Sequence, residues 1–131
     1  MIEGWHKQHP SLEKMRGELH NELRKHGYIT DIFGRRFYLP LWRSYVAVNY
    51  LIQGMAAGVL KTAMIKIHKR LKSTGAKMII TLHDELVHEI PNNEKEVVDT
   101  ITKEMEHVSD DFGVKFPTEH FTSSNNWGEC K

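Results

Sequence analysis

The sequence predicts an α+β fold, and three observations carry that expectation. Apolar residues recur at three- and four-residue spacing over several stretches, which is the period of a helix buried on one face. Short runs of branched and aromatic residues stand between those stretches in pairs, bounded by Gly, Pro and Asn, as antiparallel hairpins do. Neither an internal repeat nor a low-complexity segment breaks the order, and 131 residues make one domain or part of one.

Residues 8–26 predict the first helix. Pro10 and Ser11 suit its start, and Leu12, Met15, Leu19 and Leu23 form its apolar stripe. Gly27 is placed to end it in a left-handed conformation. Tyr28 to Phe33 and Phe37 to Pro40 then predict two strands about a Gly34-Arg35-Arg36 turn. Residues 44–72 predict the longest helix. Its apolar positions are Val48, Leu51, Ile52, Met55, Val59, Leu60, Ala63, Met64, Ile67 and Leu71, with Gly75 beyond its end. Met78 to Leu82 and Leu86 to Ile90 predict a second hairpin closed by Pro91. A helix near 93–110 follows Asn92-Asn93 and carries Val97, Val98, Ile101 and Met105. Val114 to Phe121 predict a last strand, which Pro117 would confine to a sheet edge.

Composition narrows the function classes. A hydrophobic content of 40% and a charged content of 27% belong to an ordinary water-soluble domain. No apolar run has the length of a membrane span, and the N-terminus lacks a signal-peptide stretch, so no membrane partner is expected. Cys130 is the single cysteine, which excludes an internal disulfide and a cysteine-based zinc site and fits a reducing compartment. The net charge of +1 conceals a split: residues 1–77 hold fourteen Lys/Arg against five Asp/Glu, and residues 78–131 hold four against twelve. One surface for a polyanion and a separate acidic region would produce that asymmetry, as would helix faces that simply differ in sign.

The tripeptide His83-Asp84-Glu85 breaks the second hairpin at its tip. Tight hairpins favour Asn-Gly or Asp-Gly there, because the turn needs positive φ. Two adjacent carboxylates give no such benefit and repel each other. A divalent cation or a nucleic-acid partner would relieve that repulsion, and a solvated acidic turn is the plain alternative. In the long helix, Asn49 and Gln53 lie four residues apart beside Gly54, Ala56, Ala57 and Gly58. Two amides on a face of small residues suit hydrogen bonding in a minor groove, or merely face solvent. Arg35 and Arg36 on a Gly-led turn suit phosphate contact and equally suit ordinary surface. The nine histidines include His6, His9, His20, His26, His68, His88, His107 and His120, scattered without a ligand set. Lys66, Lys69, Arg70 and Lys72 end the long helix, where cations favour its dipole.

Three blocks in series carry a resemblance. Gly27-Tyr28 through Gly34-Arg35-Arg36-Phe37-Tyr38-Leu39-Pro40 comes first. Asn49-Tyr50-Leu51-Ile52-Gln53-Gly54-Met55-Ala56-Ala57 and His83-Asp84-Glu85-Leu86-Val87-His88-Glu89 follow in the same order and spacing. Together they resemble the C-terminal part of family A DNA polymerases, the bacterial DNA polymerase I type, from about Ile2 to Asn126-Trp127. The resemblance implies helices packed on an antiparallel palm-type sheet, with residues 1–131 forming the end of the fingers and the palm. It implies Asp84 as a catalytic ligand of Mg2+, Glu85 as its acidic catalytic neighbour and His83 near the primer terminus. It further implies Asn49 and Gln53 along the minor groove of primer-template DNA, and Arg35 and Arg36 on the nucleic-acid backbone. The implied reaction is attack of a primer 3′ hydroxyl on the α-phosphate of a deoxynucleoside triphosphate, assisted by two metals. The cytoplasm of a bacterial or phage-infected cell, or another DNA-containing compartment, is the implied setting.

Departures from the family bear on activity. The family's earlier palm aspartate block and the fingers helix that grips the triphosphate have no counterpart in these residues. The stretch between Pro40 and Asn49 is short, a basic position of the family falls on Tyr45, and Met55 stands where threonine is common. A site that draws metal ligands from two strands is incomplete with one of them, so the expectation is inactivity alone and complementation by an N-terminal polymerase fragment. Two other readings compete. A non-catalytic primer-template DNA-binding module needs only Asn49, Gln53 and the basic half. A metal-dependent phosphohydrolase built on His83-Asp84 would need further His and Asp ligands on helices.

Overall fold

The computed structural model describes residues 8–91 and 95–130. Ile2, His6, Asn92 and Asn93, which figure in the expectations above, lie outside the described residues. The chain divides into two compact units, the first ending at Gly58 and the second beginning at Val59.

The first unit opens with helix α1 (Pro10–His26), whose first turn holds Pro10 and Glu13 and whose last turn holds Arg24, Lys25 and His26. That charge order suits the helix dipole at both ends. Gly27 terminates α1 at φ 75°, and its N–H donates to the Leu23 carbonyl at 2.8 Å. A residue with a Cβ would be strained in that conformation. Strands β1 (Tyr28–Thr30) and β2 (Arg36–Tyr38) pair antiparallel, Tyr28 opposite Tyr38 and Thr30 opposite Arg36. They are shorter than the sequence predicts. Ile32 and Phe33 leave the ladder because the Asp31 side chain turns the backbone instead, accepting from the Phe33 N–H at 2.9 Å and the Arg35 N–H at 2.8 Å. Leu41–Val46 form a 3-10 turn, and helix α2 (Ala47–Leu71) then begins three residues later than expected from the pattern. Leu19, Leu23, Ile29, Leu39, Ala47 and Leu51 form this unit's core, with Met15, Phe37, Val46, Val48 and Met55 against it.

The second unit takes the rest of α2 and adds β3 (Lys77–Leu82), β4 (Glu85–Glu89) and helix α3 (Lys95–His107). Ala63, Ile67, Leu71, Val97 and Val108 form its core, and Met78, Leu86 and Ile90 of the hairpin pack against that core. The hairpin thus rests its inner residues on helices, as its apolar runs require. The turn Val108–Phe112 extends α3, and a short 3-10 turn Trp127–Glu129 lies near the end.

Three expectations are corrected. The expected single sheet is instead two separate two-stranded sheets, β1-β2 and β3-β4, among the described residues. Val114 to Phe121 form no strand. Pro117 lacks the N–H a ladder needs, and the Thr118 N–H donates to Glu106 at 3.3 Å instead. The apolar positions of α2 are not buried alike: Ile52 is 51% exposed, whereas Gly54 and Gly58 are buried. Rings from the first hairpin explain the exchange. A Cβ on Gly54 would come 2.4 Å from the Phe37 ring, and one on Gly58 would come 2.3 Å from the Phe33 ring. The small residues of α2 therefore admit aromatic side chains of the chain itself.

Candidate functional site

The β3-β4 hairpin is joined by a two-residue turn, His83-Asp84, with Leu82 paired to Glu85. Its antiparallel ladder runs from Lys77 opposite Glu89, with one irregularity between Met78 and Ile80. Such a bulge adds twist to a strand. Asp84 stands in the turn itself, and Glu85 is the first residue of β4. A two-residue hairpin turn needs positive φ at its first central residue, and His83 supplies it at 53°. Glycine would adopt that angle freely; histidine is held there at a cost of about 1–2 kcal/mol. His83 alone among the described non-glycine residues has positive φ.

The two carboxylates differ in surroundings. Asp84 is exposed and makes no side-chain hydrogen bond or ion pair with another described residue. Glu85 is exposed too, but its Oε1 accepts from the Trp127 indole N–H at 3.3 Å. Trp127 is itself placed by a cluster of polar side chains. Glu129 accepts from Ser123 Oγ at 2.9 Å, Asn125 Nδ2 at 2.9 Å and Asn126 Nδ2 at 3.0 Å. Those bonds, Asn125 first, hold the Glu129 carboxyl below its ordinary value. In the same hairpin His88 is half-buried, and its Nε2 has no hydrogen-bond partner. Burial lowers its pKa, against a smaller opposing effect from a hydrogen bond with the Leu86 backbone.

Hard carboxylate oxygens suit Mg2+, which is commonly held by one or two carboxylates with water and substrate phosphates completing its shell. Asp84, exposed and without an internal partner, fits such a role as one contributor. No group of three His, Cys, Asp or Glu side chains gathers among the described residues. These residues fit part of a metal site rather than a closed one. Three of the described histidines have other neighbours: His20 Nδ1 lies 3.1 Å from Ser44 Oγ, the His26 ring lies tilted 5.8 Å from the Tyr28 ring, and His120 Nδ1 lies 3.4 Å from Thr102 Oγ1.

In the first unit, Asn49 and Gln53 are exposed on α2, four residues apart. Arg35 and Arg36 part company. The Arg35 side chain donates to the buried Asp31 carboxylate at 3.3 Å and, through Nη2, to the Gly54 carbonyl at 2.7 Å. It joins the first hairpin to α2, a structural duty that the pairing of two arginines conceals. Asp31 four residues ahead with Gly34 between is the signal that could have revealed it, because aspartate readily bonds the backbone of its own turn. Arg36 is exposed, its guanidinium 4.7 Å from the Tyr28 ring centre. Trp127 also escaped the sequence reading. A lone indole in the polar run Ser123 to Asn126 was its only mark.

The chain is similar to known proteins. A DNA polymerase I from Thermus aquaticus is 35% identical over 114 residues, 79% of this chain and 14% of that protein. A DNA polymerase I from Deinococcus radiodurans is 38% identical over 96 residues, 65% of this chain and 10% of its own length. The solved POL domain of Pol1 from M. smegmatis, in complex with DNA primer-template and dNTP, matches with a TM-score of 0.71 at 27% identity. That match covers 82% of this chain and 21% of the other. The chain spans about a seventh of the length of the Thermus relative. No described helix is long and apolar enough to cross a membrane. The family model for DNA polymerase family A matches residues 1–129, nearly the whole sequence, and the chain belongs to that family.

Proposed function

We propose that residues 1–131 are the C-terminal portion of a family A polymerase domain, the end of the fingers and the palm, serving template-directed deoxynucleotidyl transfer. The observation that carries the reading is the β3-β4 turn, in which Asp84 is presented without a partner among the described residues while His83 holds a backbone angle that glycine would adopt more easily. Backbone strain retained beside an unpaired carboxylate supports a site under functional constraint.

The primer 3′ hydroxyl attacks the α-phosphate of the incoming deoxynucleoside triphosphate, and pyrophosphate leaves. Mg2+ bound with Asp84 would supply electrostatic stabilisation of the reacting phosphate oxygens. Asp84 contributes its carboxylate to that ion. Glu85 adds negative charge next to it, oriented by Trp127. His83, at the turn, faces the primer terminus. Asn49 and Gln53 offer amide donors to the acceptors that dominate the minor groove of primer-template DNA. Arg36 serves the phosphate backbone, and Arg35 joins it with whatever donor capacity its bonds to Asp31 and Gly54 leave. A second carboxylate strand and a clamp for the triphosphate come from an N-terminal polymerase fragment, without which these residues do not extend a primer.

Single-turnover nucleotide incorporation tests the proposal with the 131-residue chain, with and without an N-terminal family A polymerase fragment. Incorporation is expected only in the assembly. Asp84→Asn keeps the shape and removes the charge, and should abolish incorporation while most duplex binding persists. Undiminished incorporation by the Asp84→Asn assembly would refute the assignment. Duplex binding without incorporation in any assembly would favour the rival reading, a non-catalytic primer-template DNA-binding module resting on Asn49, Gln53 and the basic half of the chain.

A further inference from the structure

We infer that Trp127 is a positioning residue for the Glu85 carboxylate, a role that rests on the polymerase reading above and extends it to the C-terminal segment. Trp127 and Glu85 are 42 positions apart, and their indole N–H to Oε1 contact at 3.3 Å joins the C-terminal turn to the hairpin carrying Asp84. Indole nitrogen is a donor only, so it can hold a carboxylate oxygen but cannot compete with it for a cation. Glu85 follows Asp84 directly, and an untethered exposed glutamate would range over many rotamers beside a like charge. Engaging Oε1 fixes one oxygen and leaves Oε2 to face the metal region.

The tether is built rather than incidental. Glu129 gathers three side-chain donors, from Ser123, Asn125 and Asn126, into one knot that brackets Trp127. Backbone bonds close the same turn, from the Glu129 N–H to the Asn126 carbonyl at 3.2 Å and from the Cys130 N–H to the Trp127 carbonyl at 3.0 Å. The knot fixes the backbone on both sides of the indole. Partners that orient a metal-site carboxylate without touching the metal commonly change metal affinity or activity by 10- to 100-fold when removed. An exposed contact belongs at the low end of that range.

Two measurements on the full chain test the inference. In the 15N-labelled chain, the Trp127 indole resonance, identified by its loss in Trp127→Phe, should move upfield and exchange faster with solvent in Glu85→Ala. An unmoved resonance would overturn the contact. In the chain assembled with an N-terminal polymerase fragment, Trp127→Phe should raise the Mg2+ concentration for half-maximal incorporation about tenfold. Glu129→Ala, which releases the knot and keeps the indole, should raise it in the same direction. In a Glu85→Ala background the Trp127→Phe change should add nothing, because the pair acts as one. Equal effects in both backgrounds would mean that Trp127 acts by general stability, and would overturn the role. Full incorporation by Asp84→Asn would instead remove the polymerase reading itself, while the resonance experiment would still decide whether the contact exists.

Discussion

Gly54 and Gly58 look interchangeable in sequence, and the structure separates them sharply. Replacing either with alanine in mid-helix gains about 1 kcal/mol of helix propensity. Against that stands a Cβ placed 2.4 Å from Phe37 Cζ at Gly54, or 2.3 Å from Phe33 Cε2 at Gly58. Overpacking of this kind costs about 1–3 kcal/mol when the neighbour cannot move. Mobility of the neighbour therefore decides the sign. Phe37 is half-buried against the first core, lies edge-on to Tyr50 at 6.1 Å, and sits under the Arg35 guanidinium at 5.4 Å. It has nowhere to go. Phe33 is 41% exposed in the turn between β1 and β2, so its ring is less enclosed than that of half-buried Phe37.

Gly54→Ala should thus destabilise the chain by up to about 2 kcal/mol, whereas Gly58→Ala should fall near neutral. Urea unfolding of the full chain, followed by circular dichroism and by tryptophan fluorescence, reads both. A companion variant isolates the cause: in a Phe37→Leu background the ring tip is gone, and Gly54→Ala should become stabilising by up to about 1 kcal/mol. Gly54→Ala matching Gly58→Ala, or remaining destabilising without the ring, would refute this account of why α2 carries glycine after Gln53. The packing has a further consequence, since the Phe37 ring seated on Gly54 sets which side of α2 faces inward and leaves Asn49 and Gln53 outside.

Other outcomes follow from the hairpin and the charge split. His83→Gly should raise stability by about 1 kcal/mol, by relieving the positive φ, while lowering incorporation in the assembled enzyme; a variant that gains both would remove His83 from the site. His88 is held below its ordinary value of 6.5 by burial, so between the folded and unfolded pKa values the unfolded chain binds more protons. Its contribution to stability is complete above 6.5, declines as pH falls through that value and levels off below the folded pKa; His88→Phe should flatten unfolding curves over that window, and an unchanged slope would count against burial of the ring. Binding of primer-template DNA by the chain should weaken linearly on a log-log plot against salt, because phosphate neutralisation by the basic half drives it. Binding indifferent to salt would dismiss that surface.

Much of the fold was legible because its signals are local. Period-four apolar spacing with Pro10 ahead and Gly27 behind defined α1, and the apolar runs around His83-Asp84-Glu85 defined the second hairpin within a residue or two. The position of Asp84 and Glu85 at the hairpin tip was legible for the same reason, whereas their candidacy as site residues came from the family resemblance. What escaped depends on partners distant in sequence. Ile52 and Leu51 are both apolar members of one helix, yet only Leu51 is buried, because the first hairpin chooses the side it packs on. Arg35 resembles Arg36 until Asp31 and the Gly54 carbonyl claim it. Trp127 meets Glu85 with no periodicity to announce it. Val114 to Phe121 have strand-forming residues but meet no partner strand, and strand propensity has little force without one.

The hairpin tip concentrates choices that folding alone would avoid. His83 occupies an angle suited to glycine, Asp84 and Glu85 set like charges side by side, and His88 buries a ring nitrogen without a partner. Each is a local conflict, and natural sequences otherwise keep local and global preferences consistent. A chain selected only for stability would place glycine at position 83 and an aliphatic residue at position 88. The neighbouring segments follow local preference more closely: α1 ends on a left-handed glycine and is charged in the favourable sense, and the second core is built of apolar residues. Departures from local preference gathered in one short stretch, beside an aspartate without a partner among the described residues, are the physical ground for proposing the chemistry there.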